Sequence, residues 1–510
     1  MRIPFPVHIP LWYVVGFATL LCITELLQGT SPFFSICLFL FIVISGIAFN
    51  LAGGFSRTSG GYVFFYAVLT VIAGVCWKAV LGEPADSNLL VPLLTIQVFL
   101  GSSVALLAAV YLSRKLTTKR ALLGSLVTDE NMQKATIGCM VTGFALGVIL
   151  LVVPKENGSV LSALAIVNRF LPMAIILGVI HQIRKSGGTS SINLPVVLSA
   201  TCQFCLGLVS FSKEGMFTPF VCWIIAAASQ QYKITLYQIV GGVLAVIFMF
   251  QFLVPYSQYG RNFRSETGSF SENVDTAITL LSDLETARQE DRTGQETSYE
   301  ADVRGYYNTP QGFLDRLEMI SVDDRLINLT DQGHVYGLYP ILFSFENLVP
   351  HILWPDKPSI GFGNLYTHEI GGMVEDDYTT GISYSAAGEG FHMARWIGIF
   401  LVAPIMWIML FTLYDSLCGD VRRAPWGLLV LVIFSHAAPE GMLTGIVSML
   451  GFTAASIIFA ALSAAYVMPI FGTLMAGPGK QRIGRSVQVR SIPRRAGGLG
   501  NSPAATRADR

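Results

Sequence analysis

The sequence predicts an all-α integral membrane protein with about twelve transmembrane helices and a large outer loop between spans nine and ten. Hydrophobic residues make up 52% of the 510 residues and charged residues only 13%, which excludes an ordinary soluble globular chain of this length. The apolar residues gather in runs long enough to cross a bilayer as helices, which takes about 20 residues. One late stretch, 255–393, holds 22 of the 33 acidic residues.

The apolar runs divide the chain into twelve predicted spans. The first run is of span length and lacks a small-residue cleavage site, so we expect it to stay as span one rather than to be removed as a signal peptide. Pro439 and Glu440 interrupt the pattern of the last two runs. The runs cover about 10–28, 33–53, 61–81, 90–112, 136–153, 159–182, 193–211, 214–230, 234–254, 394–417, 425–447 and 449–472.

Basic residues in the short connections predict the orientation, because Lys and Arg are retained on the cytoplasmic side. They follow spans four, six, ten and twelve, which fall on one side if there are twelve spans. We therefore expect both termini in the cytoplasm and the 255–393 loop outside. The clusters are Arg114, Lys115, Lys119 and Arg120; Arg184 and Lys185; Arg422 and Arg423; and Lys480, Arg482, Arg485, Arg490, Arg494 and Arg495.

The predicted domains are spans one to nine (1–254), the outer loop (255–393), spans ten to twelve (394–476) and a basic, disordered cytoplasmic tail (477–510). Within the loop, Val335–Trp354 is apolar enough to mimic a further span. Counting it as one would move the basic tail outside, against the charge rule. We interpret it as an interfacial or re-entrant piece.

The outer loop has two parts by composition. The first is strongly polar and holds one amphipathic helix, whose apolar face is predicted to comprise Val274, Ile278, Leu281 and Leu284. The second is richer in Gly, Pro and aromatic residues; after one helical pattern that starts at Phe313 we interpret it as turn-rich coil. It is expected to pack on the outer ends of the spans, where an active site could form.

Charged residues inside apolar runs are costly at bilayer depth and are therefore candidates for function. Arg169 lies near the middle of span six. Its guanidinium either faces an outer cavity, where it could hold a phosphate through two hydrogen bonds, or sits at the outer interface. Lys213 follows at the outer turn between spans seven and eight, next to Glu214, either as a solvated pair or as part of the same site.

A few basic residues of the outer loop stand among an excess of carboxylates. Most charges of this kind are exposed to solvent and contribute little to the free energy of folding. A site for a diphosphate requires several converging cations, and the candidates are Arg316, Arg325 and Lys357 together with Arg169 and Lys213.

Four residues of the loop are candidates for acid–base chemistry. His351, His368 and His392 have the residue type that titrates near neutral pH. Glu389 lies where the loop re-enters the membrane at span ten, a position at which removal from water would make a carboxylate a better base.

Metal, nucleotide and nucleic-acid chemistry find no support in the sequence. The Asp pairs at 323–324 and 376–377 lack partners at metal-ligand spacing, and there is no Walker loop and no basic patch for nucleic acid. Cys202 and Cys205 lie inside span seven and are interpreted as small apolar fillers. We predict neither a metal nor a cofactor.

Three short motifs resemble one family. They are FSKEGMFTP at 211–219, GLYPILFSFENLVPHILWPDKPSIGFGN at 337–364 and SYSAAGEGFHMARWIGIF at 383–400. In that order, with a large outer loop late among about a dozen spans, they resemble the bacterial oligosaccharide repeat-unit polymerases (O-antigen polymerase-like), within the wider superfamily that includes the O-antigen ligases. The likeness covers most of the chain as architecture and these motifs as sequence.

The resemblance implies a glycosyltransferase of the bacterial inner membrane. It would move a glycan from undecaprenyl diphosphate to the hydroxyl of another lipid-linked repeat unit at the periplasmic face, without a metal or a nucleotide-sugar donor. Its partners would be the lipid-linked oligosaccharide, membrane lipid and other polysaccharide-assembly proteins such as a flippase or a chain-length regulator. A ligase with another acceptor, a polytopic transporter or flippase, and a non-catalytic assembly component remain alternatives.

The resemblance also implies roles for individual residues. His351 occupies the position at which the family commonly has Arg, which replaces a fixed cation by a titratable group. The family's outer turn maps onto Ser212 and Lys213, its proline-rich pattern onto Pro350, Trp354, Pro355, Lys357 and Pro358, and its Gly-Glu pair onto Gly388 and Glu389.

Overall fold

The structure is a computed structural model that describes residues 1–124, 126–153, 160–261, 263, 270–297, 305–350, 353–354, 356–358, 360–373 and 381–476. Within that part, the backbone alone is described for residues 160, 162–163, 270–271, 291–297, 313 and 316. Helices account for 76% of the molecule, and the described residues contain no strand. The all-helical prediction is confirmed.

A helix occupies each of the twelve apolar runs, and eight helical segments of the described chain are long and apolar enough to cross a membrane. One of the eight, Leu164–Lys185, includes a short interruption at residues 168–169. The chain is thus a multi-pass membrane protein. The helices at the four other runs have 16 or 17 residues, so the count of twelve spans stays a prediction. The helices are α1 (Leu11–Leu27), α2 (Pro32–Ala52), α3 (Thr58–Leu81), α4 (Pro92–Leu116), α5 (Asp129–Val152), α6 (Val160–Val167), α7 (Phe170–Lys185), α8 (Leu194–Val209), α9 (Lys213–Ser229), α10 (Leu236–Arg261), α11 (Phe270–Ser282), α12 (Leu284–Thr297), α13 (Ile320–Asp331), α14 (Tyr339–Glu346), α15 (Phe362–Glu369), α16 (Ala386–Cys418), α17 (Pro425–Glu440) and α18 (Met442–Met475).

Local sequence explains where several of these helices begin. Ser31 accepts a hydrogen bond from the backbone N–H of Phe34 at the start of α2, and proline follows at the first helical position. At α10, Thr235 and Gln238 form a reciprocal capping box. Such caps satisfy N–H groups that have no partner within the helix.

The centre of the bundle is built from α3, α4, α16 and α17. The indole of Trp407 on α16 donates a hydrogen bond of 3.1 Å to the hydroxyl of Tyr62 on α3. Tyr66, one turn further along α3, pairs through its hydroxyl with Ser102 on α4 at 2.7 Å. These side chains are fully buried, so each polar group has a partner where water is absent.

The connections between helices gather at two ends of the bundle. At one end, the chain start contacts the α9–α10 connection, the segment after α4 contacts the end of α16, and the α16–α17 connection contacts the α2–α3 connection. The backbone hydrogen bonds are Met1 N to Ile234 O at 3.1 Å, Leu123 N to Leu417 O at 3.0 Å and Val421 N to Ser56 O at 3.0 Å. The segment between α10 and α16, which belongs to the predicted outer loop, is called the insert below. The α3–α4 connection contacts the insert at the other end, where the Tyr306 hydroxyl donates to the carbonyl of Ala85. Which of the two ends faces the cytoplasm stays a prediction from the charge rule.

Helical structure continues past both predicted boundaries of the insert. Helix α10 runs on to Arg261, and α16 begins at Ala386 but is broken at Ala394 and Arg395. Because a helix keeps its internal hydrogen bonds when its residues become polar, helix ends need not coincide with the ends of a membrane span, and the boundaries 255 and 393 stay predictions.

The insert also contains more helix than the expected turn-rich coil. The predicted amphipathic helix is present as α11, but its buried face is centred on Ala277, and Ile278 is 60% exposed. Val335–Trp354 is not one continuous span. It contains the eight-residue helix α14, which rises only about 12 Å and packs on the start of α18.

Candidate functional site

A cavity of about 290 Å³ lies where the insert meets the last long helix. Helix α17 ends at Glu440, and Met442 takes a positive φ of 51° before α18 continues. This break brings the first turns of α18 against α14 and the start of α15. The described lining residues include hydroxyl, amide and apolar side chains but no charged one. They are Ser344, Asn347, Leu348, Ile360, Phe362, Met442, Thr444, Gly445, Ser448 and Phe452.

Glu389 lies directly behind the cavity wall. Its side chain is fully buried and accepts hydrogen bonds from the backbone N–H groups of Leu443 and Thr444, the second at 3.0 Å. The Thr444 hydroxyl donates to it at 3.0 Å, and the Tyr366 hydroxyl at 3.3 Å. A carboxylate there satisfies orphan N–H groups at a helix start. Thr444 also lines the cavity and therefore connects Glu389 to it.

Lys357 lies beside the opposite wall. Its ammonium donates hydrogen bonds of 2.8 Å to the carbonyls of Asn347 and Val349. Those carbonyls follow the C-terminal end of α14, where a cation is favourable. Partial burial lowers the pKa of Lys357. Lys357 therefore stabilises the turn that places Asn347 in the cavity wall. Whether its ammonium also contacts a diphosphate is left as a prediction.

Two adjacent aspartates of α13 tie the insert to the membrane helices. Asp324 accepts hydrogen bonds from Leu90 N, Val91 N and the Thr95 hydroxyl, at 2.5, 3.1 and 2.6 Å, which secures the start of α4. Asp323 accepts from the backbone N–H and the hydroxyl of Ser385, the cap of α16. Burial raises the pKa of Asp323 to about 7. The pair thus acts as a structural clamp, a function that the sequence analysis did not assign to it.

His392 is the buried histidine of this region. Its Nε2 lies 3.1 Å from a Glu369 carboxylate oxygen, and its Nδ1 lies 2.9 Å from the Thr330 hydroxyl. That hydroxyl donates to the carbonyl of Leu326 at 2.8 Å, so the hydrogen between Thr330 and His392 belongs to Nδ1. The imidazole therefore links α13, α15 and α16.

A kink in α16 separates the segment that carries Glu389 and His392 from the rest of the helix. Ala394 and Arg395 leave the helical conformation, and Arg395 has a φ of 51°. The Arg395 guanidinium donates to the carbonyl of Thr330 at 3.0 Å, which satisfies the end of α13. A Cβ at Gly398 would lie 1.7 Å from the carbonyl oxygen of Gly390, so only glycine permits this fold-back.

The remaining predicted site residues are spread over the molecule, and none is among the described residues that line the cavity. Arg325 is half-buried on α13, and His368 is half-buried in the last turn of α15. Lys213 is the first residue of α9. Arg316 lies in a 3₁₀ turn, Gly312–Arg316, but its side chain is outside the described part, as is the whole of His351.

Arg169 lies at the break between α6 and α7 rather than inside one continuous helix. Its Nε is buried without a hydrogen-bond partner among the described residues. The guanidinium is close enough to Tyr414 for the two groups to interact electrostatically.

Metal binding has no candidate site in the part of the chain that is described, because no three residues of the types His, Cys, Asp and Glu converge there.

Comparison with known proteins supplies no relative on which to base a function. No family model matches the chain, and neither a curated protein nor a solved structure matches it.

Proposed function

We propose that this protein is a membrane-embedded glycosyltransferase. It transfers a glycan from an undecaprenyl-diphosphate donor to the hydroxyl of another lipid-linked repeat unit, at the periplasmic face of a bacterial inner membrane. The observation that carries this proposal is the uncharged cavity between the insert and α18, with the Glu389 carboxylate one residue behind its wall. The motifs that resemble the repeat-unit polymerases supply residues on both walls, Asn347 on one and Glu389 behind the other.

The chemistry requires a proton acceptor next to the acceptor sugar. The sugar hydroxyl attacks the anomeric carbon of the donor, and the bond from that carbon to the diphosphate oxygen breaks with its electron pair. The hydroxyl proton passes to the Thr444 oxygen while the Thr444 proton passes to Glu389, a path that the 3.0 Å hydrogen bond between the two side chains supports. General base catalysis of this kind contributes about 10²- to 10⁴-fold.

The departing diphosphate requires positive charge. Lys357 adjoins the cavity, since it binds the carbonyl of the lining residue Asn347. Arg169, Lys213, Arg316 and Arg325 are proposed to contribute to the path of the lipid diphosphate, because cations and donors stabilise charge that develops in the transition state. His351 and His368 are proposed as further acid–base groups.

Genetic deletion tests the function directly. The gene is removed in the host, and lipid-linked and surface glycans are separated by gel electrophoresis. A polymerase is supported if single repeat units accumulate on the carrier and polymer is lost. Polymer that accumulates on the carrier without reaching its final acceptor would identify a ligase. An unchanged glycan profile would contradict both and favour a transporter of another substrate.

A further inference from the structure

We infer that the cavity beneath α14 binds a neutral sugar ring of the acceptor, and that it is not the site that holds the diphosphate. This inference builds on the proposed function, which places an acceptor hydroxyl near Glu389. It is carried by the composition of the cavity wall, which is polar, partly aromatic and without charge.

The polar groups of the wall offer both donors and acceptors. The Ser344 hydroxyl donates to the carbonyl of Pro340 at 2.7 Å, and the Thr444 hydroxyl donates to Glu389, so each presents its oxygen to the cavity as an acceptor. The amide of Asn347 and the hydroxyl of Ser448 make no hydrogen bond with another described residue. Each sugar hydroxyl is both a donor and an acceptor, so the several hydroxyls of a sugar ring can pair with all four groups.

Other ligand classes fit this wall less well. A diphosphate is acceptor-only and is bound by Arg, Lys or arrays of N–H groups, whereas no cation is among the described lining residues. An acyl chain would cover the Asn347 amide without offering it a hydrogen bond, and a polar group that loses water without gaining a partner costs about 1–3 kcal/mol. The rings of Phe362 and Phe452 supply flat apolar surface for the C–H face of a sugar.

The volume also limits the ligand. At about 290 Å³, the cavity is at the lower end of small-molecule pockets, which range over about 300–1,000 Å³. It suits one or two sugar rings rather than a whole repeat unit with its lipid. The end of the acceptor glycan would therefore enter the cavity while the lipid remains in the bilayer.

Gly445 provides a way to fill the cavity without disturbing its frame. A Cβ at this position would meet no atom within 4 Å, and Gly445 lies in the helical first turns of α18. Gly445→Leu therefore projects into the cavity. Gly241 on α10 is a matched control, since its Cβ would also meet nothing within 4 Å.

The test measures binding of neutral disaccharides to the purified full-length chain in a detergent without a sugar headgroup. Cellobiose, lactose and chitobiose are examined by saturation-transfer difference NMR, with inorganic pyrophosphate and a decyl chain as competitors. We expect at least one disaccharide to bind, and to bind about tenfold more weakly to Gly445→Leu. Gly241→Leu should bind as the parent protein does. Asn347→Ala, which keeps the carbonyl that Lys357 binds, should weaken binding about fivefold.

The outcomes separate this inference from the proposed function. If none of the disaccharides binds, if Gly445→Leu binds them normally, or if pyrophosphate or the decyl chain displaces them, the acceptor-sugar assignment is wrong. Suppose that deletion of the gene gives the phenotype of a lost polymerase. If Gly445→Leu then restores polymer of normal length, the acceptor-sugar assignment is wrong, whereas the polymerase function still stands. A third outcome is that Gly445→Leu abolishes disaccharide binding while deletion of the gene leaves the glycans of the host unchanged. That outcome would support the sugar site and contradict the polymerase function.

Discussion

Four buried carboxylates each accept hydrogen bonds at the start of a helix. Asp415 binds Thr58 and Ser59 at α3, and Asp323, Asp324 and Glu389 do the same for α16, α4 and α18. A negative charge is stabilised there by the unpaired N–H groups and the helix dipole. Of the four, Glu389 is the one whose partner, Thr444, also lines the cavity.

Glu389→Gln tests the proposed base. The amide cannot accept a proton, so we expect transfer to fall by about 100-fold or more with little change in donor binding. The amide NH₂ would also face the N–H groups of α18, so thermal stability is measured in parallel. Glu440→Gln on α17 is the control, since that side chain is partly exposed and pairs with His436 at 3.8 Å. Unchanged turnover in Glu389→Gln would remove it as the base.

Lys357→Ala and Arg325→Ala test the proposed diphosphate contacts. Both variants are expected to abolish chain growth while expression stays normal. Lys357→Ala also removes two hydrogen bonds to the turn after α14, so it should lower thermal stability by about 1–3 kcal/mol. Lys119→Ala, at an exposed position on the predicted opposite side, is the control. Full-length polymer from both variants would show that these cations do not hold the diphosphate.

Asp323 predicts a pH dependence of stability. Burial raises its pKa from the usual 3.8 to about 7, so the folded chain binds this proton more tightly than the unfolded chain. The contribution to stability is therefore full below about pH 4 and is lost as the pH rises through about 7. We expect the melting temperature to increase between pH 8 and 6, and Asp323→Asn to reduce that increase. Identical pH profiles for the two proteins would contradict the assignment.

At the scale of elements, helix α16 depends on its kink. Gly390 and Gly398 approach so closely that a Cβ on Gly398 would overlap the Gly390 carbonyl. The helix breaks between them at Arg395, whose side chain is used at the end of α13. The kink therefore decides how the Glu389 and His392 segment meets the insert.

Gly398→Ala should straighten or destabilise α16. We expect a loss of about 1–3 kcal/mol, as for other overpacked positions, together with loss of activity. Gly241→Ala on α10 is the matched control, because a Cβ there meets no atom within 4 Å and Gly241 is not among the described residues that line the cavity. The stability of both variants is measured by thermal unfolding, monitored by fluorescence-detected size-exclusion chromatography. A Gly398→Ala protein as stable as the control would show that the close approach is not required.

Elements differ in how far the sequence predicts them. Helices α2 and α4 follow directly from long apolar runs and from a proline at the first position. The position of Glu389 at the insert's return was also predictable, because hydropathy changes there. The cavity was not, since it joins Asn347 to Thr444 across about a hundred residues. The bond from Asp323 to Ser385 likewise spans 62 positions, and nothing in local periodicity indicates such a pair.

At the scale of the whole molecule, the predicted membrane orientation can be tested on the two groups of connections. The chain start, the segment after α4 and the connection after α16 contact one another or their neighbours, and all are expected in the cytoplasm. The side of the membrane on which a residue lies is measured by its labelling with a membrane-impermeant maleimide in spheroplasts. Ser282→Cys in the insert should be labelled and Lys119→Cys should not; both positions are exposed. Labelling of Lys119→Cys alone would show that the orientation is the reverse of the predicted one.

The paired aspartates of α13 have a consequence for protein engineering. One short helix of the insert secures the first residues of α4 and of α16, through adjacent side chains that face different partners. An insert expressed alone would leave those two carboxylates without their donors. A membrane domain without its insert would lose the carboxylate that binds the start of α4 and the one that holds Ser385, the cap of α16. Exchange of the insert between related chains would therefore succeed only when Leu90–Thr95 and Ser385 travel with it.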